Sequence, residues 1–533
     1  MTEAAHRRTE YLALLGACAA ASAAAILWSW RTGSMLNYGD AVAHLHIARR
    51  VFDCHQPRLT QLGSVWLPLQ HILLLPFVQV YAWWASGWAA VAPSAAAYLL
   101  ACAGLWRLAR RWLGVPAAAV ALAFFALNPN LLYLQTTAMT EPVFLCEMVW
   151  AAVWLVEWRA SLDEETRRTG RLTWRLALVL VAAVYTRYDG WTMALVAWVA
   201  MGVALLRRGR LGSRAFWLAS VVVVAAPVAW FVYNQAGFED WLYFARGPYS
   251  AAAIEARTSV PGFPPHPGFH NPWVAEVFYL KAALLDAAAL RRGAWLLALA
   301  LAGTAFGWLA ERRRTFGWAL LLWFPAPFYA YSVSWGSVPI FLPVWWPHSW
   351  YNLRYGMEML PAFALGAGFA ARLVLGAVRE FKPAWQRYAL APLLLIVAVN
   401  AARMVQEQPL VYVEGTKNIA ARRGYDREIP EALRQALAGR PGATVLMNTS
   451  VFPEFVASTG IPLRQTINES DLKIWEHALD APAQSAAVVL AFDGDDVDRA
   501  VKAHPEGLAV ERRFTSATEP AGTLYLTASA PRR

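Results

Sequence analysis

The sequence predicts a mainly α-helical protein, a polytopic transmembrane bundle of about eleven spans closed by a small α/β soluble domain at its C-terminal end. Three observations carry this reading. Hydrophobic types make up 58% of the 533 residues and charged types 16%, against about a quarter charged in soluble domains. Mean hydropathy is +0.35. Apolar runs near the length of a bilayer core recur as far as residue 404, and clusters of Arg fall between alternate runs.

The runs lie at 11–30, 88–106, 116–134, 142–158, 172–186, 190–206, 214–234, 294–310, 316–333, 356–378 and 387–404. The first, Tyr11 to Trp30, follows Arg7 and Arg8 as in a signal peptide. It is too long for a typical apolar signal region and others follow, so it reads as a signal anchor. The stretch 66–87 is broken by Pro68 and Pro76 and carries Gln70, His71 and Gln79. It reads as a helix along the interface or re-entering it. The 28 Trp suit a protein with two membrane interfaces, where the ring is apolar and the indole N–H stays wet.

Charge orients the bundle. With the N-terminus in the cytoplasm, the inner loops hold Arg107, Arg110 and Arg111; Arg159, Arg167, Arg168 and Arg171; Arg207, Arg208, Arg210 and Arg214; Arg312, Arg313 and Arg314; and Arg379, Lys382 and Arg387. The short outer loop 135–141 has neither Lys nor Arg, whereas Arg291 and Arg292 break the pattern on the outer side. An odd number of spans puts the C-terminus outside. The expected location is a bacterial-type inner or plasma membrane.

Four outer segments follow: 31–65, 135–141, 235–290 and 334–355. The third reads as loop, with Pro261, Pro264, Pro265, Pro267 and Pro272 among aromatics; the fourth is rich in Trp and Pro. Long outer loops of this kind can fold over a site at the membrane surface. From about residue 405 the apolar runs shorten to Ala443–Met447, Ala486–Phe492, Leu508–Val510 and Thr523–Leu526. Polar helix-like segments, Pro430–Ala438 and Asp495–Ala503, alternate with them, which predicts an α/β fold. The division is thus 1–404, a membrane module with outer loops, and 405–533, an extracytoplasmic domain.

The net charge of +11 is accounted for by the inner-loop Arg, and no nucleic-acid motif accompanies it. Cys18, Cys102 and Cys146 lie in apolar runs and Cys54 in a loop, with no disulfide or zinc spacing.

Ionisable groups in or beside spans are costly and mark candidate sites. Asp40, in Asn37-Tyr38-Gly39-Asp40, opens the helical stretch Ala41–Phe52, with His44 one turn on. A carboxylate there could act as a general base or metal ligand, or simply cap the helix. Glu141 precedes Pro142 at the outer mouth of the fourth span, where Thr140 and Glu141 also suit a helix start. Glu147 lies six residues deeper. Arg187 and Asp189 flank Tyr188 at the outer surface, as a neutralised pair or as an interfacial turn. Arg354, in Asn352-Leu353-Arg354-Tyr355, suits a phosphate or a snorkelling role. His348, His266 and His270 lie in outer loops at spacings that match no zinc pattern. All these acids and the Arg fall on one side of the membrane, as glycosyl or phosphoryl transfer at a lipid headgroup requires.

In these features the sequence resembles the C-type (GT-C) membrane glycosyltransferases, such as the protein O-mannosyltransferases and the aminoarabinose transferases of lipid A. Four features match in order: the first-loop acid and Ala-rich helix Gly39-Asp40-Ala41-Val42-Ala43-His44-Leu45-His46-Ile47-Ala48-Arg49; the segment Trp66-Leu67-Pro68-Leu69; the loop Thr136-Thr137-Ala138-Met139-Thr140-Glu141-Pro142; and Asn352-Leu353-Arg354-Tyr355 through Pro361. The motifs are short and degenerate, and the likeness covers roughly residues 10–405. It departs from the pattern where Gly39 and Ala41 flank a single acid and where Leu67 stands in place of a Lys.

The resemblance implies a polyprenyl-phosphate sugar donor, a lipid, glycan or protein acceptor, and inverting transfer. Asp40 matches the first-loop base and Glu141 the second acidic position. Arg354 matches a residue near the donor phosphate, whose charge it or a divalent metal cation would stabilise. His44, Asp189, Arg187 and His348 are the further candidates for substrate binding. The competing expectation is a transporter or flippase of lipid-linked sugars. Such proteins favour ionisable groups at mid-membrane and inverted repeats, and no repeat is visible in this chain.

Overall fold

The computed structural model describes residues 3–163, 166–258, 262, 264–289, 293–311, 315–420, 425–440, 442–450, 454–517 and 519–527. Pro261, Arg291, Arg292 and Arg312 to Arg314 lie outside the described residues. The chain divides into two compact units: Met1–Thr32, Ser64–Gln70 and Ala92–Glu414 form one; Gly33–Gly63, His71–Val91 and Gly415–Arg533 form the other.

The apolar runs are mainly helical, and among the described residues six helices are long and apolar enough to cross a membrane: Thr9–Thr32, Trp88–Ala109, Tyr188–Arg207, Arg214–Phe238, Leu353–Phe381 and Tyr388–Ala420. The remaining runs fall short for physical reasons. The expected span 116–134 is two helices, Val115–Ala126 and Pro129–Leu134. Asn128 ends the first and caps the second, its side chain accepting from the backbone N–H of Asn130 (3.0 Å) and Leu131 (3.1 Å), with Pro129 in the first turn. The run 316–333 likewise divides into a 3-10 segment, Phe316–Trp323, and a helix, Pro325–Trp335. Glu141–Ser161 carries Glu141, Glu147, Glu157 and Arg159, and Thr166–Thr186 opens with four Arg in its first ten residues.

The outer segment 235–290, expected as loop, contains the 16-residue helix Pro272–Ala287. Asn271 caps it, accepting from Val274 N–H at 3.2 Å, and Pro272 pre-sets its first turn. Its face of Ala275, Tyr279, Ala282 and Ala283 is fully buried. Small residues set the closest crossing in this unit. A Cβ on Gly303 would stand 2.0 Å from the carbonyl oxygen of Gly366, and one on Gly366 would stand 2.5 Å from that of Ala300. Helices Gly293–Glu311 and Leu360–Phe381 therefore pack backbone to backbone.

In the second unit a five-stranded sheet runs in the order β2-β1-β3-β5-β4. The strands are β1 (Val445–Met447), β2 (Thr466–Ile467), β3 (Val488–Phe492), β4 (Leu508–Phe514) and β5 (Gly522–Thr527). β2, β1 and β3 are parallel; β5 runs antiparallel to β3, and β4 to β5. Every residue of β3 is buried, as in a strand covered on both faces. One face meets Trp475, Ala478, Val497 and Val501; Phe492 meets Tyr425 and Phe455. The helices Tyr425–Leu437 and Asp496–Ala503 fill the two expected polar segments, the latter capped by Asp495, whose side chain accepts from Asp498 N–H at 2.7 Å.

Gly33–Gly63, most of the segment expected as the first outer loop, belongs to this unit, and Asp53 fastens it to the sheet domain. Asp53, 3% exposed, accepts Arg49 Nε at 2.7 Å and the backbone N–H groups of Leu463 (3.3 Å) and Arg464 (3.4 Å). Arg49 donates to the Val78 carbonyl at 2.7 Å and lies over the rings of Trp84 and Tyr81. The Tyr81 hydroxyl is within hydrogen-bond distance of the carbonyls of Ala457 and Ile461. The stretch 66–87, expected as one helix, is two short helices, Leu69–Leu74 and Tyr81–Ser86. Each is roughly 9 Å long, far below a bilayer's thickness. Asp53→Asn keeps the shape but removes the charge that three donors share, so it is expected to destabilise this unit by about 2 kcal/mol, read as a lower melting temperature.

Acid should loosen the same unit. His46 is buried in the helix Gly39–Arg50 against Trp84. Burial first, then the charges of Arg50 and Arg49, hold its pKa down to about 3. The folded chain then binds fewer protons than the unfolded one, so this stability is present above about pH 6.5 and is lost as pH falls toward 3. At pH 5 the loss is about 2 kcal/mol. Unfolding between pH 7.5 and 5 should become easier, and His46→Gln should flatten that dependence.

Candidate functional site

The candidate residues fall into both units. Asp40 and His44 belong to the second. The helix there begins at Gly39 with Tyr38 as its N-cap, so Asp40 stands in the first turn and is not the cap. It is half-buried, with its charge favoured by the N-terminal dipole. His44 is buried and turns to His71, Nδ1 to Nε2 at 2.8 Å. Two histidines in contact share one proton along that line, so at least one ring is neutral.

The first unit gathers Glu141, Arg187, Asp189 and Arg354 into one buried cluster. Three local features build it. Thr140 is the N-cap of the helix Glu141–Ser161, with Pro142 in its first turn, which turns the Glu141 side chain inward at 0% exposure. Arg187 is the extended residue (φ −149°, ψ 153°) between the helices Thr166–Thr186 and Tyr188–Arg207. The close return is permitted by Gly190, where a Cβ would stand 2.2 Å from the carbonyl oxygen of Ala183. Arg354 opens the 3-10 segment Leu353–Met359, held against helix Pro272–Ala287 by Gly356, where a Cβ would meet Ala283 N at 2.5 Å.

Arg187 pairs with Asp189 (Nε–Oδ2 2.9 Å), Glu141 (Nη1–Oε1 3.3 Å) and Glu358 (Nη2–Oε1 3.3 Å), and donates to the hydroxyl oxygens of Thr140 and Tyr329, both at 3.0 Å. Arg354 pairs with the same Glu141 oxygen (Nε–Oε1 3.1 Å) and with Glu414 (Nη1–Oε1 3.2 Å). Both guanidiniums lie over the ring of Tyr355, at 4.7 and 5.0 Å. The Tyr329 hydroxyl is 2.8 Å from Glu358 Oε1 and 3.1 Å from Asp189 Oδ2, and its ring stacks between Tyr279 and Tyr355.

Two guanidiniums thus face four carboxyl groups, and the cluster is acid-rich. Glu141 is its centre. Its Oε1 faces both Arg187 and Arg354, while its Oε2 is buried with no hydrogen-bond partner among the described residues. Such an atom can accept a hydroxyl proton in a hydrogen bond. The segments 66–87 and 135–141 also meet, as Gln70 Nε2 donates to the Ala138 carbonyl at 2.9 Å.

The other candidates stand apart. Glu147 accepts from Thr186 at 2.8 Å. His348 is exposed, with its Nδ1 3.1 Å from the Pro343 carbonyl. His266 lies 3.8 Å from Glu255, and His270 stacks on Phe269. Glu358, Glu414, Tyr329 and Tyr355 are members of the cluster that sequence reasoning missed. An acid inside the apolar run 356–378 was a signal for Glu358. Glu414 lies beyond the compositional break at 405, where an acid draws no notice. Among the described residues no three His, Cys, Asp or Glu side chains form a metal-holding group. The carboxylates that do converge already face guanidiniums.

No protein-family model matches the chain, and neither does any curated protein. Solved structures do. ArnT from Cupriavidus metallidurans bound to undecaprenyl phosphate aligns over 96% of this chain and 98% of that one, at 15% identity and a TM-score of 0.56. Its apo form aligns over 97% and 98%, at 14% identity and 0.57. The archaeal oligosaccharyltransferase AglB from Archaeoglobus fulgidus, in complex with an inhibitory peptide and a dolichol-phosphate, aligns over 98% of this chain and 75% of that one, at 12% identity and 0.52. At such identities the likeness speaks for architecture, and it spans both units: the chain has the GT-C fold.

Proposed function

We propose that the chain is an integral membrane glycosyltransferase that moves a sugar from a polyprenyl-phosphate donor to an acceptor hydroxyl on the extracytoplasmic side, its N-terminus in the cytoplasm. The observation that carries this reading is Glu141, a fully buried carboxylate clamped at one oxygen by two guanidiniums and open at the other. Carboxylates and guanidiniums around aromatic rings bind hydroxyls and phosphates alike. The fold supports it, since ArnT and AglB share it and their structures hold undecaprenyl phosphate and a dolichol-phosphate.

In the proposed step the Asp40 carboxylate takes the acceptor's hydroxyl proton as that oxygen bonds to the anomeric carbon. The bond from that carbon to the phosphate oxygen breaks, and the polyprenyl phosphate leaves with the electron pair. Inversion follows from attack opposite the leaving group. Arg354 and Arg187 offset the charge that develops on the phosphate. Glu141 orients both guanidiniums and accepts from a sugar or acceptor hydroxyl. No step is assigned to a metal ion.

The test is transfer by the purified full-length protein in detergent. Radiolabelled polyprenyl-phosphate sugars are offered with membrane extract as acceptor. Label moving into an extractable product establishes the activity and names the donor. A folded protein that transfers from no donor sinks the reading, and uptake of lipid-linked sugars into vesicles then tests the flippase alternative.

A further inference from the structure

The sheet domain contains a cavity of about 460 Å³ that none of the chemistry above uses. Its floor is apolar: Leu524 and Leu526 of β5 and Ala432 and Ala436 of the helix Tyr425–Leu437. Its rim is polar, with Gln435, Arg440, Glu511 and Arg512. The volume is that of a small-molecule site, and the Ala and Gly side of the wall leaves it open.

Two features set this rim apart from an ordinary charged surface. Successive residues of a strand point to opposite faces, yet Glu511 and Arg512 both line the cavity. A bulge in β4 permits it: Val510 pairs with Tyr525 and Arg512 with Leu524, so Glu511 is an extra residue with no partner on β5. Bulges re-aim side chains and gather near sites. The second feature is charge. Four cations nearby in the chain are each matched to an acid: Arg434 to Glu431, Arg499 to Asp496, Lys502 to Asp498 and Arg513 to Asp493. Arg440 and Arg512 make no ion pair among the described residues, and Arg440 Nη1 is buried without a hydrogen-bond partner. The helix terminus beside Arg440 favours a cation there. That preference does not account for Arg512 or for the bulge.

We propose that this cavity binds an anionic saccharide, a sugar that carries a phosphate or a carboxylate. The two guanidiniums take the anion. Gln435 and Glu511 supply the mixed donors and acceptors that hydroxyls need. The leucine floor takes the C–H face of the ring. The site is independent of the transfer reaction, because occupancy is read without turnover.

The experiment uses the full-length protein in detergent and saturation-transfer NMR with glucose 1-phosphate, glucuronate, glucose and inorganic phosphate. The expected result is binding of glucose 1-phosphate or glucuronate at least ten-fold tighter than of glucose, the stronger of the two naming the anion. Inorganic phosphate should bind more weakly than the sugar phosphate. The double variant Arg440→Gln/Arg512→Gln should lose that preference at least ten-fold while its melting temperature holds. Ala436→Trp, which fills the cavity, should abolish binding of all four. Inorganic phosphate bound as tightly as the sugar phosphate would overturn the saccharide assignment. Equal binding by the wild type and a folded double variant, or no binding by the wild type, would overturn the site.

Discussion

Asp40→Asn is expected to lower sugar transfer by about 10²- to 10⁴-fold, the range over which a positioned general base acts. Asp40 is half-buried in the first helical turn with Tyr38 as the cap. The carboxylate's attraction for the helix N-terminus is worth about 0.3–1 kcal/mol. Asn keeps the volume and one carbonyl oxygen. Melting temperature and elution volume should stay near the wild type while turnover collapses. An unchanged KM for the lipid-linked donor with a reduced kcat would place the loss in the chemical step. Full turnover in a well-folded Asp40→Asn protein would remove Asp40 from the mechanism. The weight would then fall on the cluster's carboxylates with an unpartnered oxygen, Glu141 first.

Much of this was legible in the sequence, and its limits have physical causes. Helical runs announce themselves by length and apolarity, so all eleven are mainly helical, and the alternation of short apolar and polar segments after residue 405 marked the sheet domain. What periodicity could not show was where a run breaks. The interruption at Asn128 depends on a side chain that caps a new helix within an apolar run, and the two-residue strand Thr466–Ile467 is too short to leave a pattern. The Pro-rich segment 235–290 hid a helix because Pro272 marks a helix start as readily as a loop. The site was legible in part for a related reason. Glu141 and Arg354 drew notice singly, and Arg187 with Asp189 as a local pair, because charges beside apolar runs are costly. Arg187 and Asp189 are two positions apart, but the pairing of both Arg with Glu141 is a property of tertiary packing, across 46 and 213 positions. The glycines that permit it, Gly190 and Gly356, carry no side chain for a pattern to register.

Arg354→Leu is expected to be the most damaging substitution to the membrane unit. It removes the cationic partner of Glu414, one of the two cationic partners of Glu141 and a cation over the face of Tyr355 in one change, leaving Glu414 the backbone N–H of residue 354. Breaking a buried ion pair from one side costs about 3–5 kcal/mol, because the abandoned charge stays in a medium that cannot solvate it. That is a large part of the 5–15 kcal/mol by which proteins are stable, so yield and melting temperature in detergent should both fall. Arg354→Lys keeps the charge but not the fork that spans Glu141 and Glu414, and it should recover only part of the loss. The double variant Arg354→Leu/Glu414→Leu separates structure from chemistry. It removes the stranded charge with its partner and leaves Glu141 to Arg187, and such paired replacements often regain stability. If Arg354 serves only to hold the cluster, transfer should return with the fold. If it also offsets the charge on the leaving phosphate, a stable double variant should still transfer at least a hundred-fold more slowly than the wild type.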